Sequence, residues 1–135
     1  MAPGYSGTPL PAKLGIRPGA VVCVLRYDGD YGTLVTPLGD GVKLVSRPTK
    51  ETDLVHLFAT RRSELDKSLA TLRRQLTPDA AVWVSWPKKA SKVETDITEN
   101  TIREVALGHG FVDVKVCAVS DVWSGLKLVI RKELR

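Results

Sequence analysis

Four short stretches hold the residues best suited to chemistry, and three of them directly follow an apolar run. Asp28 to Tyr31 comes after AVVCVLR, Arg61-Arg62 after DLVHLF, and Trp86-Pro87-Lys88-Lys89 at the end of AAVWVSW. The fourth, Trp123-Ser124, sits between the last two apolar segments. Lysine and arginine hold phosphate or carboxylate through charge-assisted hydrogen bonds. Tryptophan offers a large flat face for a planar ligand. The set Asp28, Tyr31, Arg61, Arg62, Trp86, Lys88, Lys89, Trp123 and Ser124 therefore reads as a binding rim for an anion with a flat body. Each member also has a plainer role: solvated lysines and arginines, and tryptophans that cap a core under a loop. Arg61 and Arg62 add positive charge where a helix start already carries it, which calls for a bound anion or a neighbouring acid.

Catalytic and metal chemistry find less support. His56 lies inside an apolar run and reads as a satisfied core histidine. His109 stands between two glycines in a helix-ending turn. Ser85 follows no G-x-S-x-G elbow, and no acid is placed by the sequence to pair with either histidine. No nucleophile, base and orienting group assemble from spacing alone, so no catalytic residue is assigned. Cys23 and Cys117 sit among apolar neighbours and read as small buried hydrophobes. No cluster of His, Cys or carboxylates has metal-ligand spacing. The formal charge of +5 is spread among interleaved acids, which argues against a nucleic-acid binder. No secretory apolar segment or membrane-length stretch occurs, so the expected location is cytoplasmic and away from the membrane.

The elements that must position the rim follow from periodicity. Met1 to Gly7 reads as an arm. Thr8 is expected to cap a short helix, Leu10 to Leu14, ended by Gly15. Ala20 to Arg26 is a nearly all-apolar strand of the kind buried on both faces. Tyr27 to Gly41 is rich in turn residues, with short strands expected at Leu34-Val35 and Val42 to Ser46. Asp53 to Phe58 is a strand. Arg62 to Leu76 is an amphipathic helix with Leu65, Leu69, Leu72 and Leu76 on one face. Ala80 to Trp86 is a strand stopped by Pro87. Glu99 to Leu107 is a helix with Thr98 as its cap and Ile97 and Ile102 as a staple. In Phe111 to Val119 the alternation places Val112, Val114, Val116 and Ala118 on one face and Asp113 and Lys115 on the other. Leu126 to Arg131 follows after a connection too short for a helical crossover, so these two strands are expected to be antiparallel.

The order strand, helix, strand, helix, strand, strand makes one α/β domain over residues 1–135, a small Rossmann-like three-layer sheet. It is mostly parallel and closes with a C-terminal antiparallel strand. From Asp53 onward this order resembles the second half of the class I S-adenosylmethionine-dependent methyltransferase fold, with an abbreviated first half. The runs GYSGTPLPAKLGI, DLVHLF, WVSWPKK, TDITENTIREVAL, VDVKVCAV and WSGLK are similar to those of a bacterial domain family of unknown function. That resemblance implies a fold and a cellular class and supplies no catalytic residue.

In open α/β sheets ligands bind beyond the carboxyl ends of the strands, which brings the four stretches to one rim. A class I methyltransferase usually places a glycine-rich turn after its first strand, where the cofactor needs close backbone approach. Here that strand ends RYDGDYG, with Gly29 and Gly32 but no G-x-G. Residues 33–52 leave 20 positions for two strands and their helices. The expected function is a non-catalytic binding or interaction module for an anionic small molecule or a protein partner, without a cofactor. A minimal methyltransferase or nucleotide-dependent enzyme is the alternative, and a weak nucleic-acid binder the third reading. A homo-oligomer through the last strand pair is possible, although Lys115, Arg131 and Lys132 can also protect that edge.

Overall fold

The run LVHLF forms β3 (Leu54–Phe58), and all five residues are buried. A strand buried on both faces needs strands at both edges and cover above and below. In the computed structural model, which describes residues 8–135, β1 (Val21–Leu25) and β4 (Ala81–Pro87) flank it, both parallel to it. The expected arm Met1–Gly7 lies outside the described residues. β2 (Lys43–Val45) pairs in parallel with β1, while β6 (Trp123–Ile130) runs antiparallel to β4. β5 (Phe111–Ala118) is antiparallel to β6, which completes the sheet order β2-β1-β3-β4-β6-β5.

Helices cover both faces. On the first face lie α3 (Arg62–Gln75) and α4 (Glu99–Gly108). Leu65, Leu69 and Leu72 of α3 pack with Ile102, Val105 and Ala106 of α4 on Val55, Leu57, Val82, Val84 and Trp86. The helical leucine spacing and the strand alternation each supply one half of that core. Thr98 and Thr101 form a reciprocal capping box at the start of α4, and Ile97 and Ile102 are both buried. On the second face lie α1 (Leu10–Leu14) and a single helical turn, α2 (Tyr31–Leu34). There Leu10, Leu14, Tyr31, Phe58, Trp83 and Val119 form a separate core, and the Trp83 indole donates to the Leu14 carbonyl at 2.8 Å.

Four expectations are corrected. Thr8 does not cap α1; Pro9 occupies the cap position, with no side-chain bond. Leu34-Val35 is not a strand, because Asp30 caps a helical turn there by accepting from the Thr33 amide. Val21, Val24 and Leu25 of β1 are only half-buried. Its neighbour β2 is three residues long, and residues 46–53 cross back to β3 without a helix to cover that corner. In β5 the alternation breaks at a bulge between Asp113 and Lys115. Asp113 turns toward α4 and accepts from Arg103, whereas Lys115 reaches across to the Lys13 carbonyl of α1. Val114 and Val116 are left 53% and 48% exposed on a sheet-edge strand. A bulge with a lysine beside it discourages pairing with another chain.

Candidate functional site

All nine expected rim residues lie at one end of the sheet. Asp28 and Tyr31 follow β1, Arg61 and Arg62 follow β3, and Lys88 and Lys89 follow β4. Because β6 is antiparallel, its first residues Trp123 and Ser124 come to the same end, opposite Pro87 and Trp86 in the ladder. The Lys88 amide donates to the Val122 carbonyl at 2.7 Å and ties the two loops together. The two tryptophans nevertheless do not meet. Trp86 is buried in the core under α3 and α4, while Trp123 belongs to the opposite face. A strand alternates its side chains, and ladder partners share a face, so Ser124 goes with Trp86 and Trp123 with Pro87.

The crevice at the reversal of strand order, between the ends of β1 and β3, is where a doubly wound sheet accepts ligands. Here it holds the chain's own rings. Tyr27 packs on Phe58 with centroids 4.6 Å apart, and Trp123 meets Phe58 edge-on at 5.1 Å. Tyr31 is edge-on to His56 and to Phe58. Arg26, at the end of β1, has the left-handed φ of 65° that usually requires glycine. Its guanidinium is paired with Glu64 at 3.2 Å.

Beneath these rings runs a polar chain that spacing did not foretell. The Tyr31 hydroxyl lies 2.7 Å from His56 Nδ1, and His56 Nε2 lies 2.6 Å from Ser85 Oγ. Tyr31, His56 and Ser85 meet because α2, β3 and β4 are neighbours on one face, and His56 is the satisfied core histidine that its apolar run implied. All three are buried, His56 and Ser85 completely. Burial lowers the His56 pKa to about 3 and pushes that of Tyr31 well up, so both are neutral. A serine sealed from solvent beside a neutral histidine satisfies hydrogen bonds inside a core. The expectation that no acid is placed to pair with either histidine is corrected for His109, which pairs with Asp66 at 2.7 Å.

The arginines of the rim have found acids. The Arg62 amide, in the first turn of α3, donates to Asp96 at 2.7 Å. Arg61 pairs with Glu94 and Arg62 with Glu104. The neighbouring acid demanded by two arginines at a helix start is thus supplied in triplicate by the stretch between β4 and α4 and by α4 itself. Lys88 and Lys89 stand beyond this cluster, Lys89 exposed.

Three clefts open on the described residues; none is lined by the nine rim residues, although one is bordered by Leu25 and Arg26 at the carboxyl end of β1. One of them, about 300 Å³, lies at the amino ends of β1, β3 and β4 beside Leu14 and Gly15. Among the described residues no group of three or more His, Cys, Asp or Glu is placed to hold a metal ion. Among them, too, no helix is long and apolar enough to cross a membrane.

A family described as "Protein of unknown function (DUF3052)" matches residues 11–132. The chain belongs to that family. Among curated proteins none matches this DUF3052 chain. Its fold is that of the class I methyltransferases. A SAM-dependent methyltransferase from Aquifex aeolicus is similar with a TM-score of 0.68 and 17% identity, over 89% of this chain and 87% of that one. A protein assigned to the type 11 methyltransferases, from Sulfolobus solfataricus, gives a TM-score of 0.64 and 14% identity, over 91% and 90%. At these identities the likeness is one of fold. The mostly parallel sheet of the DUF3052 chain, with its last strand antiparallel, is the feature shared with the sequence expectation.

Proposed function

We propose that this DUF3052 protein is a non-catalytic binding or interaction module, bacterial and cytoplasmic, that keeps the methyltransferase sheet without its cofactor site. The observation that carries this reading is the packing of Tyr27 on Phe58, with Trp123 against the same ring, in the crevice at the ends of β1 and β3. S-adenosylmethionine needs open space and close backbone approach at such a crevice. Here Gly29 is itself crowded, since a Cβ on it would lie 3.0 Å from the Tyr27 ring. The rim that remains is Asp28 with Lys88 and Lys89, which take part in no ion pair among the described residues, beside Arg61 and Arg62, half-exposed within theirs; it meets an anionic small molecule or an acidic protein surface. Charges of this exposure steer and select partners more than they add affinity.

The second reading is a minimal S-adenosylmethionine-dependent methyltransferase. It is favoured by the Aquifex protein, which is described as one and 87% of which the present chain spans. Calorimetric titration with S-adenosylmethionine and S-adenosylhomocysteine decides between the two. No heat and no thermal shift at millimolar ligand is the expected result; saturable binding overturns the non-catalytic reading.

A further inference from the structure

We propose that the cleft at the amino ends of the strands is a second binding site, for a compact anion with a short apolar body, anchored by Lys127 and Arg17. It stands apart from the carboxyl-edge rim and holds whether or not that edge takes a cofactor. The floor is apolar: Leu14, Ala20, Leu54 and Ala81. The roof is Gly15 and the turn Arg17 to Gly19, and Gly15 and Gly19 both have left-handed φ. A Cβ on Gly19 would touch nothing within 4 Å, so the backbone there borders open space.

The charge arrangement is what calls for a ligand. Lys127 stands on the second face of β6, directly opposite Trp83 of β4 on one side and Lys115 of β5 on the other. Like charges opposed across a ladder repel. Lys115 is drawn off by the Lys13 carbonyl at 3.2 Å. Lys127 is half-buried and has no such outlet among the described residues; its Nζ projects to within 3.9 Å of the Cβ position of Gly15, at the cleft wall. Neither Lys127, Lys115 nor Arg17 takes part in any of the ion pairs among the described residues. The acid lining the cleft is Asp53, and one of its oxygens accepts from the Val21 amide at 2.8 Å. A half-buried ammonium at an open cleft, with an arginine across the mouth, favours a phosphate or carboxylate head. The leucines and alanines beneath then hold a small apolar body.

The test is a two-dimensional amide NMR titration of the full chain with inorganic phosphate and with phenyl phosphate. Saturable shifts are expected at Gly15, Arg17, Gly19 and Leu54, with phenyl phosphate tighter by about fivefold because its ring meets the apolar floor. Lys127→Met is expected to weaken phenyl phosphate by about tenfold, with Lys127→Arg retaining it. Arg17→Ala, at an exposed position, is expected to weaken it while leaving the spectrum of the fold intact. Absence of saturable shifts to about 20 mM ligand, shifts confined to Lys88 and Lys89, or unchanged binding by both Lys127→Met and Arg17→Ala overturns the proposal.

Discussion

The two ends of the sheet differ in what fills them and in what answers their charge. At the carboxyl end, Tyr27, Tyr31, Phe58 and Trp123 occupy the crevice with rings, and Arg26, Arg61 and Arg62 are each paired with a glutamate. At the amino end a cleft of about 300 Å³ stays open beside Arg17 and Lys127, neither of which takes part in an ion pair among the described residues. The general rule for open α/β sheets sends ligands to the carboxyl end. That rule rests on helix starts and loops that converge there with unmet hydrogen-bonding capacity. In this chain Asp96 meets the first turn of α3, and aromatic side chains take up the space. Position along the sheet is therefore a weaker guide than whether charge and volume have been satisfied from within.

The contrast can be broken most forcefully through the buried polar chain that supports the filled end. His56 binds a proton in the unfolded chain near its ordinary pKa of about 6.5 and in the folded chain only near 3. Its contribution to stability is thus fully present above pH 6.5 and is lost progressively as the pH falls toward 3. A shift of this size is worth about 5 kcal/mol across that window. Urea unfolding at pH 7, 5.5 and 4.5 is expected to show a steep loss; a flat profile means that His56 is already charged or exposed.

Emptying the crevice comes next. Phe58→Ala removes the ring that Tyr27, His56 and Trp123 all contact, and is expected to cost about 4 kcal/mol. If the surviving fold then binds S-adenosylhomocysteine while the parent does not, aromatic filling is what separates the two ends. Gly125→Ala should cost about 2 kcal/mol, because its Cβ would lie 3.0 Å from Val119 Cγ2 and 3.2 Å from Trp83 Cε3. Denaturant midpoints measure both.

A smaller change would make the carboxyl end resemble the amino end. Asp96→Ala removes the acceptor for the Arg62 amide and is expected to cost about 1 kcal/mol. It leaves the α3 start positive and open, so weak phosphate binding should appear there in an amide NMR titration. Least of all, Lys88→Glu with Lys89→Glu should change stability by less than about 0.5 kcal/mol, as measured by thermal unfolding.

Much of the fold was legible because local pattern and tertiary packing agreed. The leucines of α3, the Thr98 cap and its staple, and the short link between β5 and β6 each carry their own geometry in their spacing. Where they disagreed, the reason is specific. Val114 and Val116 alternate like buried residues, but a bulge in an edge strand resets the count, and only the partner strand's register reveals it. Leu34 and Val35 look like strand residues, yet the Asp30 side chain nucleates a helical turn.

By itself the sequence determined most of the elements, the mixed sheet and the set of residues that reach its carboxyl end, because periodicity and connection length act locally. Only the tertiary structure decided which of those residues meet. Trp86 and Trp123 part company because ladder register sends them to opposite faces. Tyr31, His56 and Ser85, far apart in the chain, join because three elements share one face. Arg61 and Arg62 lost their open charge to acids more than thirty residues away, while Lys127 kept its own beside a cleft that no motif announces. Pairing of charge and filling of volume are properties of neighbours in space, and those neighbours are set by the fold.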